Sequence, residues 1–220
     1  ELVGFPFQST DRIRSSPAVG DVDNDGQMEI VFGNSSGKLY IINQDGSQQL
    51  AYTQLGFVEG APALVDIDGD QDLEIIFTTT TGSGGQVYVI HHNGATESGF
   101  PKEIGSMFAG PAVHDLDNDG VVDVVCVTYD KEIYVIEAIG GAIKAGFPFT
   151  AESRFSMPAT IVDVDSDGDY EIVAGCNSGD LYVLHHDGTI HSQYDTGDDI
   201  RGGISVCDLN NDGQLDLLFG

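Results

Sequence analysis

Positive charge is scarce in this chain. Eight lysines and arginines face 36 aspartates and glutamates over 220 residues, a formal charge of −28. A surface this acidic repels phosphate backbones and anionic headgroups, which argues against nucleic acid or an anionic membrane as a partner. Long apolar runs are missing too. No stretch of about 18 apolar residues exists to cross a bilayer, so membrane insertion is not expected. Residues 1–20 lack a basic stretch followed by an apolar one, so no signal peptide is expected within them. A mature chain looks the same, which leaves export open. Cysteine is sparse and odd in number: Cys126, Cys176 and Cys207 lie in or beside apolar runs with no close pairing and no Cys-x-x-Cys spacing. They read as small buried hydrophobes rather than a disulfide framework. No P-loop or His-Glu-x-x-His occurs, and the one Gly-x-Ser-x-Gly string, Gly33-Asn34-Ser35-Ser36-Gly37, lies in a Gly/Ser-rich turn between two apolar runs with no helical pattern after it. A nucleotide cradle, a zinc protease and the strand–turn–helix of a nucleophile elbow are therefore not indicated. No window carries sustained helical periodicity.

What is abundant is aspartate, in a fixed pattern. Asp21-Val22-Asp23-Asn24-Asp25-Gly26-Gln27-Met28-Glu29 places carboxylates at its first, third, fifth and ninth positions, with a glycine at the sixth. The stretch recurs at 66–74 (Asp66, Asp68, Asp70, Asp72, Glu74), 115–123 (Asp115, Asp117, Asp119, Val121, Asp123), 163–171 (Asp163, Asp165, Asp167, Asp169, Glu171) and 208–216 (Asp208, Asn210, Asp212, Gln214, Asp216). Carboxylates this close repel unless a cation lies between them. Ca²⁺ takes about six to eight oxygen ligands and suits such a set. Side chains at positions one, three, five and nine would supply most of them, and the backbone carbonyl at position seven (Gln27, Asp72, Val121, Asp169, Gln214) one more. The glycine supplies the positive φ of a sharp turn. The expected cofactor is therefore Ca²⁺, up to five ions, which would bring the formal charge from −28 to −18. Four carboxylates in each of the first four loops and three in the fifth account for just over half of all acids.

The first aspartates are spaced by 45, 49, 48 and 45 residues, a period that signals a propeller or solenoid array. Each loop is preceded by a short apolar segment such as Pro17-Ala18-Val19-Gly20 and followed by another: Ile30-Val31-Phe32, Ile75-Ile76-Phe77, Val124-Val125-Cys126-Val127, Ile172-Val173-Ala174, Leu217-Leu218-Phe219. A Gly/Ser/Thr-rich turn then leads to Leu39-Tyr40-Ile41-Ile42, Val87-Tyr88-Val89-Ile90, Ile133-Tyr134-Val135-Ile136 or Leu181-Tyr182-Val183-Leu184. Asp45-Gly46, Asn93-Gly94, Gly140-Gly141 and Asp187-Gly188 mark tight hairpins into a more polar fourth strand. Four short antiparallel strands at this period predict an all-β fold, a β-propeller of four-stranded blades with the acidic loop between the first and second strands. Unbroken apolar runs in the second and third strands fit strands covered on both faces.

Phe32-Gly33, Gly60-Ala61-Pro62, Gly110-Pro111 and Phe219-Gly220, set beside the Asp-x-Asp-x-Asp-Gly-x-x-Asp/Glu loops, resemble the FG-GAP repeat of integrin α-subunit propellers and related bacterial surface proteins. The resemblance covers essentially the whole chain and implies Ca²⁺ in the loop of each blade. Departures exist. Gln71 replaces the loop glycine in the second copy, Pro158 lies five residues before its aspartate rather than four, and Ile204 stands where the other units have proline. An EF-hand is rejected because its twelfth position needs a bidentate glutamate, and here that position holds Phe32, Phe77, Cys126, Ala174 and Phe219.

Residues 1–220 thus read as one propeller domain or part of one, about 4.7 repeats at this period. Leu2-Val3-Gly4-Phe5-Pro6-Phe7 resembles the last strand of a blade. Two readings follow: a piece of a larger ring, seven-bladed by the family resemblance, or five blades closed by joining the termini. The first is favoured, with a Gly-x-Leu-Tyr-Val-like strand expected beyond residue 220. The pairs His91-His92 and His185-His186 read as a repeat feature at an exposed strand end, and His114 as a packed residue. Arg12, Arg14, Arg154 and Arg201 each lie shortly before a loop, as scattered solubilising charge or as a cluster on one face.

Two functions are compatible with these residues. One is a secreted or cell-surface module of the adhesion type, stiffened by calcium and presenting loops to a protein or glycan, with self-assembly or further blades outside this chain also open. The other is a carbohydrate-active enzyme, such as a polysaccharide lyase on a calcium propeller. The first is preferred, because the paired carboxylates are committed to the loops and no acid/base pair remains. The fifth loop, with Asn210, is expected to hold calcium most weakly.

Overall fold

A computed structural model describes residues 4–54 and 56–220. Among them every regular element is a strand. The first sheet is a meander of β1 (Ala18–Gly20), β2 (Glu29–Gly33), β3 (Lys38–Ile42) and β4 (Gln48–Thr53). The second contains β5 (Ala63–Val65), β6 (Glu74–Thr78), β7 (Gly85–Ile90) and β8 (Lys102–Ile104). The third contains β9 (Ala112–His114), β10 (Asp123–Val127), β11 (Glu132–Glu137) and β12 (Phe149–Thr150). The fourth contains β13 (Thr160–Val162), β14 (Glu171–Gly175), β15 (Asp180–Leu184) and β16 (Ile190–Asp195). A pair, β17 (Ser205–Cys207) and β18 (Asp216–Leu218), follows. All pairings are antiparallel between neighbours in sequence, the strand order of propeller blades.

In the second, third and fourth sheets the second strand is the most enclosed: β6, β10 and β14 are buried at every residue. That explains why they read as unbroken apolar runs rather than alternating ones. The chain divides into two compact units, Glu1–Pro111 with Ile139–Gly141, and Ala112–Ala138 with Ala142–Gly220. In the first unit Val22, Val31, Leu39, Ile41, Val58, Ile75, Phe77, Tyr88 and Ile90 form one core between the first two sheets. Phe77 stacks on Tyr88 at 4.9 Å, and Tyr52 meets both rings edge-on. In the second unit Val173, Leu181, Val183 and Ile200 pack with Val162, Val164, Ile204 and Leu217, joining the fourth sheet to the final pair. Ile204 does so where other units carry proline, so that departure keeps an apolar contact.

Three expectations change in detail. In the second and third sheets the fourth strand follows Gly-Phe-Pro rather than preceding it, and only the isolated bridges Ile90–Thr96 and Ile136–Ile143 mark the earlier segment. Of the proposed N-terminal strand, Leu2 and Val3 lie outside the described residues. The rest forms no strand. Instead Phe5 and Phe7 pack against Phe32, Tyr40 and Ile42, with the Phe7 ring 5.3 Å from Tyr40. Cys126 and Cys176 are buried, but Cys207 is exposed, because its strand is covered by a single partner.

The glycine closing β2 is required by packing. A Cβ on Gly33 would lie 2.2 Å from the Val58 side chain, and one on Gly175, at the matching end of β14, would lie 2.4 Å from Ile200. Gly33→Ala and Gly175→Ala should each lower unfolding free energy by about 1–3 kcal/mol through overpacking. Gly203→Ala, with open space at its Cβ, should cost little. Denaturant unfolding of the three variants checks this, and equal losses would count against it.

Candidate metal centres

Each acidic stretch is the connection between the first two strands of a sheet, and its own carboxylates fold it. The aspartate at position one accepts two backbone N–H groups. Asp21 takes those of Asp25 (3.0 Å) and Gly26 (2.8 Å), and Asp66 those of Gly69 and Gln71. Asp115 takes those of Asp119 and Gly120, Asp163 those of Ser166 and Gly168, and Asp208 those of Asp212 and Gly213. At position five, Asp25, Asp70, Asp119, Asp167 and Asp212 each accept the N–H of position seven, from Gln27, Asp72, Val121, Asp169 and Gln214 in turn. Position three varies: Asp68 and Asp165 accept the N–H two residues on, as Asn210 does, while Asp23 faces Gln49 of β4 and Asp117 faces Lys144, which lies between β11 and β12.

Two residues per loop are left-handed. Position six has φ of 88° at Gly26, 88° at Gly120, 100° at Gly168 and 87° at Gly213, and 80° at Gln71. Position four has φ of 54° at Asn24 and Asn118, 63° at Ser166 and 60° at Asn211, and 82° at Gly69. The second loop has exchanged its glycine between the two positions, which leaves Gln71 in a conformation that costs an L-residue about 1–2 kcal/mol.

Position nine is where burial and charge collide. Glu29 is 2% exposed, and Glu74, Asp123 and Glu171 are fully enclosed. One oxygen of each accepts the N–H of position two: Val22 (3.0 Å), Ile67 (3.0 Å), Leu116 (3.3 Å) and Val164 (2.9 Å). Burial raises the Glu29 carboxyl above its ordinary value, the Val22 amide opposes this, and Asp23, Asp25 and Asp21 raise it further. Burial likewise raises Glu74, against the Ile67 amide and His91, and Asp123, against Lys144 and the Leu116 amide.

Three carboxylate oxygens lie within 4.8 Å of one another in four loops: Asp21, Asp23 and Glu29; Asp66, Asp68 and Asp70; Asp115, Asp117 and Asp119; Asp163, Asp165 and Glu171. Among the described residues the fifth loop forms no such group. Its position-two residue Leu209 is 65% exposed, where Val22 and Leu116 are buried. A hard cation fits the first loop, where Asp23 Oδ1 is buried without a partner. The third loop differs: Lys144 Nζ lies 2.8 Å from Asp117 Oδ2 and 3.0 Å from Asp123 Oδ2.

The histidine pairs are not at a free strand end. His91 Nδ1 is 3.0 Å from Glu74 Oε1 and His185 Nδ1 is 3.3 Å from Glu171 Oε1, while His92 and His186 face the position-seven carboxylates of Asp72 (2.9 Å) and Asp169 (3.4 Å). The hairpin register would have revealed this: Ile75 pairs with Ile90 and Ile172 with Leu184, which brings the next residue of each third strand beside position nine. His114 packs edge-on against Tyr170, ring centroids 4.0 Å apart. Three of the four arginines have side-chain partners. Arg14 pairs with Glu59 at 2.9 Å, Arg201 pairs with Asp199, and Arg154 lies over the Tyr129 ring.

Blade-type sheets with an acidic, backbone-braced turn after each first strand define a propeller-type repeat protein. The chain belongs to the family of FG-GAP-like repeats, whose model matches residues 21–77, 66–126 and 163–219. Each match opens on a loop's first aspartate and runs through the strand after the next loop. Solved structures resemble it in fold. BBS1N in complex with ARL6DN is 13% identical, covering 100% of this chain and 62% of that one, with a TM-score of 0.63. The C-terminal domain of Pseudomonas aeruginosa PilY1 is 17% identical (88% and 52%, TM-score 0.63), and BamB from Moraxella catarrhalis 15% identical (96% and 57%, TM-score 0.59). The chain spans between half and two thirds of the length of each. No curated protein sequence matches it.

Gln71→Gly should raise stability by about 1 kcal/mol by relieving the left-handed glutamine; a drop in denaturation midpoint would contradict that origin. Without divalent ions, the raised carboxyls make the folded chain hold more protons than the unfolded one. Stability should then rise as pH falls from neutral toward the ordinary glutamate value of 4.5. With calcium the order should reverse, since protons compete for the ligands. Melting curves with chelator and with calcium, at neutral and mildly acid pH, check both signs.

Proposed function

We propose that this chain is a calcium-stabilised, non-enzymatic binding module of an extracellular or cell-surface protein, presenting its blade loops to a protein or glycan. The observation that carries the reading is the convergence of three carboxylates in each of four loops, every one of which also closes on a buried acid at position nine, a charge that a hard dication neutralises. Asp21, Asp23, Asp25 and Glu29 would hold the ion in the first loop. Asp66, Asp68, Asp70 and Glu74 would do so in the second, and Asp163, Asp165, Asp167 and Glu171 in the fourth. The fifth is the weakest holder. The ion supplies charge neutralisation and stiffness, not chemistry. Extracellular calcium modules are tuned to about 10⁻⁴–10⁻³ M, which suits these exposed, water-accessible loops. A solved neighbour of the same fold is recorded with a protein bound, BBS1N with ARL6DN, which supports binding as the use of such a surface.

Excess chelator should lower the melting temperature strongly, because calcium binds the folded state and stabilises it by mass action. An unchanged melting temperature would refute the metal reading. Product release from acidic polysaccharides by the isolated chain would overturn the non-enzymatic one.

A further inference from the structure

One position, three residues past the hairpin glycine, faces the loop in the first, third and fourth sheets and the loop's histidine neighbour in the second, and it differs each time. It is Gln49 after Gly46, Glu97 after Gly94, Lys144 after Gly141 and His191 after Gly188. Gln49 Nε2 donates to Asp23 Oδ2 at 2.9 Å, Glu97 faces the Nε2 of His91 at 3.3 Å, and His191 Nε2 stands 3.7 Å from Asp165. Only the third sheet places a permanent cation there. The Lys144 side chain is 12% exposed and reaches three loop carboxylates, Asp117, Asp123 and Asp119, at 2.8, 3.0 and 3.9 Å.

Its backbone is anchored as at the equivalent position of the second sheet: the Lys144 N–H donates to the Val135 carbonyl at 2.9 Å, as the Glu97 N–H does to Val89, so the two sites differ in side chain and not in backbone placement. The third loop also closes with Asp123, one methylene shorter than Glu29, Glu74 and Glu171 in the other loops of four-stranded sheets, which leaves room for an ammonium between positions three and nine. Across the strands Asp123 is paired in register with Glu137, so this corner carries one more acid than the corresponding Asn43 or histidine sites. A resident positive charge offsets it.

The geometry points to Lys144 as the built-in cation of the third loop, taking the place that calcium takes in the first, second and fourth. This inference rests on the calcium reading of those three loops. The chain then binds fewer calcium ions than its five acidic stretches indicate, and the third loop keeps its shape when metal is withdrawn. Asp117 Oδ1 and Asp123 Oδ1 remain buried without partners, so the rival arrangement is an ammonium and an ion together.

Calcium counting on the whole chain separates the two. Asp119→Asn should leave the number of bound ions unchanged, whereas Asp25→Asn in the first loop should remove one. Lys144→Gln, which installs the residue found at Gln49, should add one ion and, in excess chelator, lower the melting temperature by several degrees. Loss of an ion in Asp119→Asn would overturn the inference even if Lys144→Gln fails to fold, and so would a folded Lys144→Gln that gains none. If the wild-type chain and Asp25→Asn both bind no calcium, the calcium reading of the other loops fails. The chelator melt of Lys144→Gln then still reports whether the lysine holds its loop, and no change in it would sink that role.

Discussion

The structure depends on a carboxylate at the start of each second strand that is removed from water. Glu29, Glu74, Asp123 and Glu171 are each tied by one oxygen to the backbone of their own loop. A buried charge costs several kcal/mol, on the order of 3–5 when left unpaired, and a single neutral N–H does not recover that. Different groups stand beside the buried acid from loop to loop: converging carboxylates in the first, a histidine ring nitrogen in the second and fourth, and the Lys144 ammonium in the third.

That constraint orders the rest of the blade. Position two supplies the tying N–H, and its side chain, Val22 or Leu116, is fully buried in turn. The same residue therefore anchors the loop to the apolar interior and to the acid. Leu209 keeps the tie to its acid, its N–H donating to Asp216 at 2.9 Å, but its side chain is exposed, and that loop gathers no group of three carboxylates among the described residues. Apolar packing and charge placement are one arrangement seen from two sides.

Much of this was legible in the sequence, because it is written as periodicity. The loop spacing, the four strands per unit and the hairpin turns follow from local patterns that tertiary context does not overturn. The contributions from the segment after the third-strand hairpin were not legible. Lys144, Gln49 and His191 reach the loops across two hairpins, and their relevance appears only once the register is known. The histidine pairs were misplaced for the same reason: an alternating strand end looks exposed until a neighbour's acid is set beside it. The left-handed conformation at position four was also hidden, since asparagine and serine permit it without announcing it.

The loops are also joined to one another. Within the first unit the Leu73 N–H donates to the Val22 carbonyl at 3.1 Å, and within the second the Tyr170 N–H donates to Leu116 at 2.9 Å. The peptide of position two thus holds its own acid on one side and the next loop on the other. Two adjacent loops in a unit share a backbone link, so ordering one restrains its neighbour, as in nearest-neighbour repeat arrays. On the proposed reading of these loops, filling such a pair is a collective event rather than two independent ones, and the link through Leu116 ties the loop assigned to Lys144 to one that would take its cation from solution. Under that proposal the lysine-held member would be a permanent template for the other, set by the gene rather than by the medium.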